Sequence, residues 1–380
     1  MTASEIKRTP ADPNPPTKIS LISEILGEER NIYIQLPEGY GQAQKAYPVL
    51  FVLDGEWLFE IVRANLRFYS EVEVMGNILP QMILVGIENV DRDRDYVPTP
   101  DPQDPPTFKT AGKADLFAAF LAEELFPHLE QNYHALPNRT VVGWSFSGLF
   151  ALYAAIRHQD LFDTYLCCGP AIWWDDELVV KRFKETPIRN KKRAVITCGS
   201  DEKGGSVYES VQSLLKTLKE ERTENFDCEY LEFEAVGHSW SVPRAVAQGL
   251  IHLFKDYIPK DEIKSFEELN KYYNHLSSLW GYEVIPPDWL LLDLMNGLWA
   301  ADDKEEAFKV LEILLTHHPD SSLVHFYRGK YLALLDKFPK AIESFQNAIM
   351  VESAHPVPNT IYLRTYKEKL NKINQSQSLT

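Results

Sequence analysis

Hydrophobic and polar positions change rhythm twice along the chain. Residues 18–26 and 30–36 carry apolar side chains at alternating positions on either side of Gly27, the pattern of an antiparallel hairpin with one face against a core. Beyond it, short and nearly continuous apolar runs appear at 49–53, 82–86, 141–142, 165–168 and 194–198, which predict strands covered on both faces. Between most of them the spacing turns helical. Residues 115–133 place Phe117, Phe120, Leu121, Leu125 and Leu129 on one face; 149–157 and 243–257 also read as helices, the latter with Pro243 in its first turn. Strand and helix in alternation predict a doubly wound, mostly parallel α/β sheet that ends near Ile258.

From Pro259 the strand signal stops, and helices are expected at 290–299, 305–317, 323–335 and 341–350. Ala307 and Ala341 stand 34 residues apart. Gly329, Phe345 and Ala348 lie around the second, the small and aromatic positions at which the paired helices of a tetratricopeptide-like repeat pack closely. Around the first the match is looser, with Leu311 and Leu314 in the corresponding places and Pro319 closing the unit. The alternative is an ordinary pair of helical hairpins. Two repeats are fewer than an independent array needs, so their open face is expected against the sheet domain, a degenerate third pair within 266–299, or another subunit, either a second copy or a protein partner. The expected plan is a disordered Pro-rich tail (1–17), a sheet domain (18–258), a linker (259–265) and a smaller all-α domain (266–380).

Length and composition agree with two domains: 380 residues, 44% apolar and 25% charged, is the make-up of a globular protein at roughly 150 residues per domain. Cys167, Cys168, Cys198 and Cys228 show no CxxC spacing and read as reduced structural thiols, not as disulfides or a zinc site. The net charge of −16 opposes binding to nucleic-acid backbones or anionic lipid. The longest uncharged apolar stretch, 141–156, is interrupted by two serines and two glycines and is too short to span a bilayer. Residues 1–17 have no apolar run of the kind a signal peptide needs, so a cytoplasmic location is expected.

Candidate chemistry concentrates at residues 140–150, Thr-Val-Val-Gly-Trp-Ser-Phe-Ser-Gly-Leu-Phe. An apolar strand runs into Gly143, Ser145 follows two residues later, and a helix begins, the layout of a nucleophile elbow that lifts a serine hydroxyl above the sheet. Gly143 and Ser147 are then the small residues that let the helix approach the strand, although glycine is usual where Ser147 stands. Taking Ser147 as nucleophile would put Leu149 at a small position, so Ser145 is preferred.

A serine needs a base, and the base an orienting group. Chain order in such folds is serine, acid, histidine. That points to His238, just past an alternating strand at 229–236 and just before the last helix of the sheet domain. The acid should follow the run 194–198, where Asp201 and Glu202 are both available. Glu202, three residues after Gly199, is preferred; a Ser–His dyad is the alternative. Oxyanion donors are expected from the backbone N–H of Phe146 and from the loop Asp54-Gly55-Glu56-Trp57, with Glu56 first and Gly55 second. Asp54 is expected to brace that loop.

Together with Arg92-Asp93-Arg94-Asp95-Tyr96-Val97-Pro98, Gly169-Pro170-Ala171-Ile172-Trp173-Trp174-Asp175 and Gly237-His238-Ser239, these residues resemble the putative-esterase family of α/β-hydrolases over about 18–258, and most nearly its siderophore trilactone esterase branch. The resemblance implies an α/β-hydrolase fold and a cofactor-free, metal-free serine esterase acting on a small-molecule ester, with the acid weakly placed or absent in some members. Departures are Trp144 and Ser147 in the elbow, and Cys167-Cys168 where a serine before the proline would be usual. Tyr96, Trp173 and Trp174 are candidate pocket residues, and the five prolines of 97–108 suggest a stiff wall beside them. Arg92 and Arg94 either bind a carboxylate or pair with nearby aspartates. Residues 259–380 carry 13 basic and 17 acidic side chains, a net of −4, which leaves −12 on 1–258, a poor field for steering a highly anionic ferric siderophore. A catalytically silent scaffold and an acyltransferase are the competing readings.

Overall fold

The computed structural model describes residues 14–41, 45–71, 76–103, 105–220, 225–355 and 358–377; residues 1–13, most of the tail expected to be disordered, lie outside them. Eight strands form one sheet: β1 (Thr17–Ser23), β2 (Glu28–Gln35), β3 (Tyr47–Val52), β4 (Ile83–Ile87), β5 (Ala135–Trp144), β6 (Thr164–Cys168), β7 (Lys192–Gly199) and β8 (Phe226–Phe233). Their spatial order is β1-β2-β4-β3-β5-β6-β7-β8. The first two pairings are antiparallel and the other five are parallel, so the hairpin caps one edge of a doubly wound sheet. The hairpin strand stops at Ser23, before the expected residue 26, because Gly27, at φ 68°, closes the turn by donating its amide to Ser23 O.

The helices of the sheet region are α1 (Gly55–Glu71), α2 (Arg92–Tyr96), α3 (Ala114–Phe120), α4 (Phe126–Asn132), α5 (Phe146–Arg157), α6 (Trp174–Glu185), α7 (Ser206–Glu220) and α8 (Val242–Leu253). Between α3 and α4 a π-turn, Leu121–Leu125, joins what the spacing predicts as one helix. Pro127 has no N–H to continue the ladder, and the wider turn absorbs the missing bond. Successive residues of the central strands point to opposite faces and feed two cores. Val49, Phe51 and Val141 join α3, α4, α5, α6 and α7 on one side, while Leu50, Val52 and Val142 join α1 and α8 on the other.

The second core does not stop at α8. It continues into α9 (Phe266–Trp280), α10 (Asp288–Ala300), α11 (Lys304–His317) and α12 (Ser322–Leu334), and a small third core joins α12 to α13 (Phe338–Ala354) and α14 (Thr360–Gln377). Trp289 Nε1 donates to Asn77 O at 3.0 Å and Asn138 Nδ2 to Trp280 O at 3.0 Å, so the helices are bonded to the sheet as well as packed on it. Gly329 on α12 meets the Phe345 ring of α13, where an added Cβ would lie 2.9 Å from the ring. Among the described residues no helix is long and apolar enough to cross a membrane.

Candidate active site

β5 ends at Trp144, and Ser145 turns the chain into α5 with φ 58° and ψ −113°, a conformation that costs a non-glycine residue about 1–3 kcal/mol. The turn is pinned by its backbone. Ser145 N donates to Cys168 O at 3.0 Å, and Ser145 O accepts from Leu149 N at 2.9 Å and Ala171 N at 3.0 Å. Gly143 is required because a Cβ there would sit 2.5 Å from Ser147 O. The half-buried Ser145 hydroxyl has no hydrogen-bond partner among the described residues.

His238 lies in the loop after β8, its side chain 30% exposed, with Nδ1 2.8 Å from Glu202 Oε2. Glu202 Oε1 accepts from Gly199 N at 2.9 Å, so both carboxylate oxygens are engaged. A neutral imidazole with a carboxylate at Nδ1 carries its proton there and leaves Nε2 as a base. Two glycines make room: a Cβ on Gly169 would lie 2.9 Å from Nδ1, and one on Gly199 would strike Val236 O. The Trp144 ring closes the other side at 5.4 Å. Asp201, the other acid considered, is exposed; its amide donates to Val236 O.

Glu56 and Phe146 occupy the first turns of α1 and α5, where amides have no acceptor within the helix, and among the described residues neither amide has a backbone partner. Gly55 permits this placement, since a Cβ there would lie 2.8 Å from the backbone of Ile87. Asp54 is buried and paired with Arg92, so that arginine is engaged within the protein. Arg94 forks onto Glu28 and reaches Asp95, and its hydrogen bonds to Glu28 hold the guanidinium well above its ordinary pKa.

The three aromatic pocket candidates separate. Tyr96 is 1% exposed and its hydroxyl accepts from Asp54 N at 3.2 Å. Trp174 is 2% exposed and donates Nε1 to Thr99 Oγ1 at 2.9 Å. Both are therefore structural props whose rings are covered, contrary to the expectation that they line a pocket. Trp173 is half-buried, 6.1 Å from the Phe146 ring. The proline-rich segment packs Phe108 edge-on to Phe146 at 5.1 Å, and Asp101 organises it by accepting from the amides of Phe108, Gln103 and Thr107, which hold its pKa below the usual range. Trp57 and Trp240 are 53% and 81% exposed, the first beside Glu56 and the second two residues past His238. Nothing in their spacing marks them; only their proximity in sequence to Glu56 and His238 does.

The four cysteines are free. Burial pushes the Cys168 thiol up to about 12, which removes it as a competing nucleophile at neutral pH. Among the described residues no three His, Cys, Asp or Glu side chains gather as a metal-holding group.

The family described as putative esterase matches residues 23–242. Ferri-bacillibactin esterase BesA of Bacillus subtilis is 25% identical over 224 residues, covering 54% of this chain and 78% of its own. An IroE-like serine hydrolase from Shewanella oneidensis is 26% identical with a TM-score of 0.69, over 78% of this chain and 98% of that one. An uncharacterised protein from Capnocytophaga ochracea shares the fold, helical region included: TM-score 0.60 at 18% identity over 95% of this chain and 99% of the other.

Proposed function

This chain belongs to the putative-esterase family and is a carboxylic ester hydrolase, and we propose that it works through an acyl-enzyme on Ser145. The observation that carries the reading is His238 held by Glu202 at 2.8 Å on the same sheet edge as a strained serine. His238 Nε2 takes the hydroxyl proton as Ser145 Oγ bonds to the ester carbon. The carbonyl oxygen becomes an oxyanion that the Phe146 and Glu56 amides receive. Collapse breaks the bond to the leaving alkoxide, which takes the proton from the imidazolium. Water, deprotonated by the same imidazole, attacks the acyl carbon; the bond to Ser145 Oγ breaks, the imidazolium returns the proton to that oxygen, and the carboxylic acid leaves. Glu202 keeps Nδ1 protonated throughout.

The substrate class is a small-molecule ester of the siderophore type, as the name of the Bacillus relative suggests. With −12 on residues 1–258, an uncharged form of such an ester is favoured over a strongly anionic ferric complex. The exposed rings of Trp57 and Trp240 suit a flat, ring-bearing acyl group.

A fluorophosphonate probe tests the mechanism. Intact protein should gain one adduct, on Ser145. Ser145→Ala should gain none and lose aryl-ester hydrolysis by on the order of 10⁴–10⁶-fold. Hydrolysis that survives in Ser145→Ala would sink the proposal.

A further inference from the structure

The ion pair between Asp54 and Arg92 touches both strand ends from which the proposed oxyanion donors leave. Asp54 stands at the end of β3, directly before Gly55 and Glu56, fully buried and at φ 54°. Its four lone-pair directions are all used. Oδ1 accepts from Arg92 Nε at 2.7 Å and Asn89 Nδ2 at 2.7 Å, and Oδ2 accepts from Arg92 Nη2 at 2.9 Å and Ser147 Oγ at 2.6 Å. The link then crosses to the elbow: Arg92 Nη2 also donates to Trp144 O at 2.9 Å, and Ser147 Oγ accepts from Trp144 N at 2.7 Å. The rings of Trp57, Tyr96, Trp144 and Phe146 surround the guanidinium at 5.5 to 6.0 Å.

Removing a charged pair from water carries a desolvation cost that neutral braces would avoid. What the pair supplies in exchange is a planar, two-pronged connection of fixed geometry between the β3 loop and the β5 elbow. Ser147 fits the same scheme. Glycine, usual at that place, would leave Asp54 Oδ2 one donor short and remove the acceptor of Trp144 N.

We infer that the Asp54–Arg92–Ser147 cluster sets the separation of the Glu56 and Phe146 amides, which makes Arg92 a positioning residue for the oxyanion and not a ligand for charge on the substrate. The inference rests on the Ser145 mechanism proposed above. It places the role of the arginine in turnover, since the donors matter most when charge develops on the carbonyl oxygen.

The test compares Arg92→Met, Arg92→Lys and the double variant Asp54→Asn/Arg92→Met with wild type on an uncharged aryl acetate and on an aryl ester that carries a carboxylate. It follows kcat and KM separately, the rate of fluorophosphonate adduct formation on Ser145, and thermal melting. Arg92→Met should lose about 100-fold in kcat, with KM within about threefold and adduct formation slowed to match. Arg92→Lys should fall between it and wild type, because an ammonium keeps the charge and loses the fork. The double variant leaves no buried charge unpaired, so it should melt near wild type and remain slow. A folded double variant with wild-type kcat overturns the inference. So does a KM increase at unchanged kcat confined to anionic esters, which would make Arg92 a substrate ligand. Wild type that takes no adduct on Ser145 overturns the serine mechanism and this role together, whereas normal labelling in wild type and variants alike overturns the positioning role alone.

Discussion

Backbone strain is distributed unevenly between the sheet's carboxyl edge and the helical region after residue 265. Among the described residues nine non-glycine residues have positive φ, and six of them lie on the chain that follows β3, β5, β6 and β8: Asp54, Ser145 and Ala235 in turns, and Asp175, Asp176 and Glu177 at the left-handed start of α6. In the helical region only Asp302 and Asp336 have positive φ, one residue past the caps of α10 and α12, where the chain leaves a helix and a short polar side chain is among the few that tolerate the left-handed region. The edge is an assembly of costly turns held by hydrogen bonds and by glycines in close contact. The helical region is relaxed and held by apolar packing. Substitutions at the edge are therefore expected to change rate more than stability, and those among the helices the reverse.

Among substitutions that leave the Ser145 hydroxyl in place, the largest effect is expected from Glu202→Gln. The amide reproduces the shape of the carboxylate but can present N–H to Nδ1, which favours the wrong tautomer of His238 and no longer stabilises the imidazolium. A fall in kcat of about 10³–10⁴-fold follows, with a melting temperature close to wild type. A change below threefold in steady-state kinetics would instead mean that serine and histidine act as a dyad.

Gly169→Ala comes next. At φ 46°, with a new Cβ 2.9 Å from His238 Nδ1, the methyl group must push the imidazole off its position. Displacement of a catalytic group by about 1 Å costs about 100-fold in rate. The check is kcat beside the distance between His238 and Glu202 in a variant structure; an unmoved ring at full activity would show that the edge tolerates what its geometry forbids.

Much of this contrast is present in the sequence, for unequal reasons. Parallel strands covered on both faces leave unbroken apolar runs, so β3, β4, β6 and β7 fall close to 49–53, 82–86, 165–168 and 194–198, whereas β5 contains 141–142 but starts at Ala135, in a stretch that is only partly buried and so has no unbroken apolar run. The elbow is readable because Gly143 and Ser145 answer to one local turn. The rest depends on contacts between distant residues. Ser147 reads as a merely tolerated substitute for glycine until Asp54, 93 residues earlier, appears beside its hydroxyl. Tyr96 and Trp174 look like pocket aromatics because sequence carries no sign of which face of a ring is covered. The left-handed start of α6 at Asp175, Asp176 and Glu177 has no periodicity to announce it, and β8 begins and ends three residues earlier than 229–236 because the chain must leave the sheet to bring His238 back over it.

The same substitution made in the helical region should give the opposite readout. Gly329→Ala places a methyl group 2.9 Å from the Phe345 ring, within a helix whose backbone alanine suits. The overpacking is expected to cost about 1–3 kcal/mol, read as a lower melting temperature, while kcat stays within about twofold of wild type. Equal losses of rate from Gly169→Ala and Gly329→Ala would erase the distinction between the two regions.

The smallest expected effect concerns pH and the junction of the regions. His318, after α11, donates Nε2–H to Pro286 O at 2.9 Å. Desolvation there holds its pKa below the ordinary value, with Lys45 from the sheet region adding to the depression and Asp288 and Asp320 opposing it. Below the ordinary histidine pKa of about 6.5 the unfolded chain takes up a proton that the folded chain refuses, so the unfolded state binds more protons and stability falls as pH falls through that window. His318→Gln can keep the bond to Pro286 O without titrating. Its melting temperature should accordingly drop less than that of wild type between pH 7.5 and pH 5.5, while kcat at pH 7.5 is unchanged. Parallel losses in the two proteins would show that acid destabilisation enters elsewhere. A change in kcat would show instead that the helical junction reaches the catalytic edge.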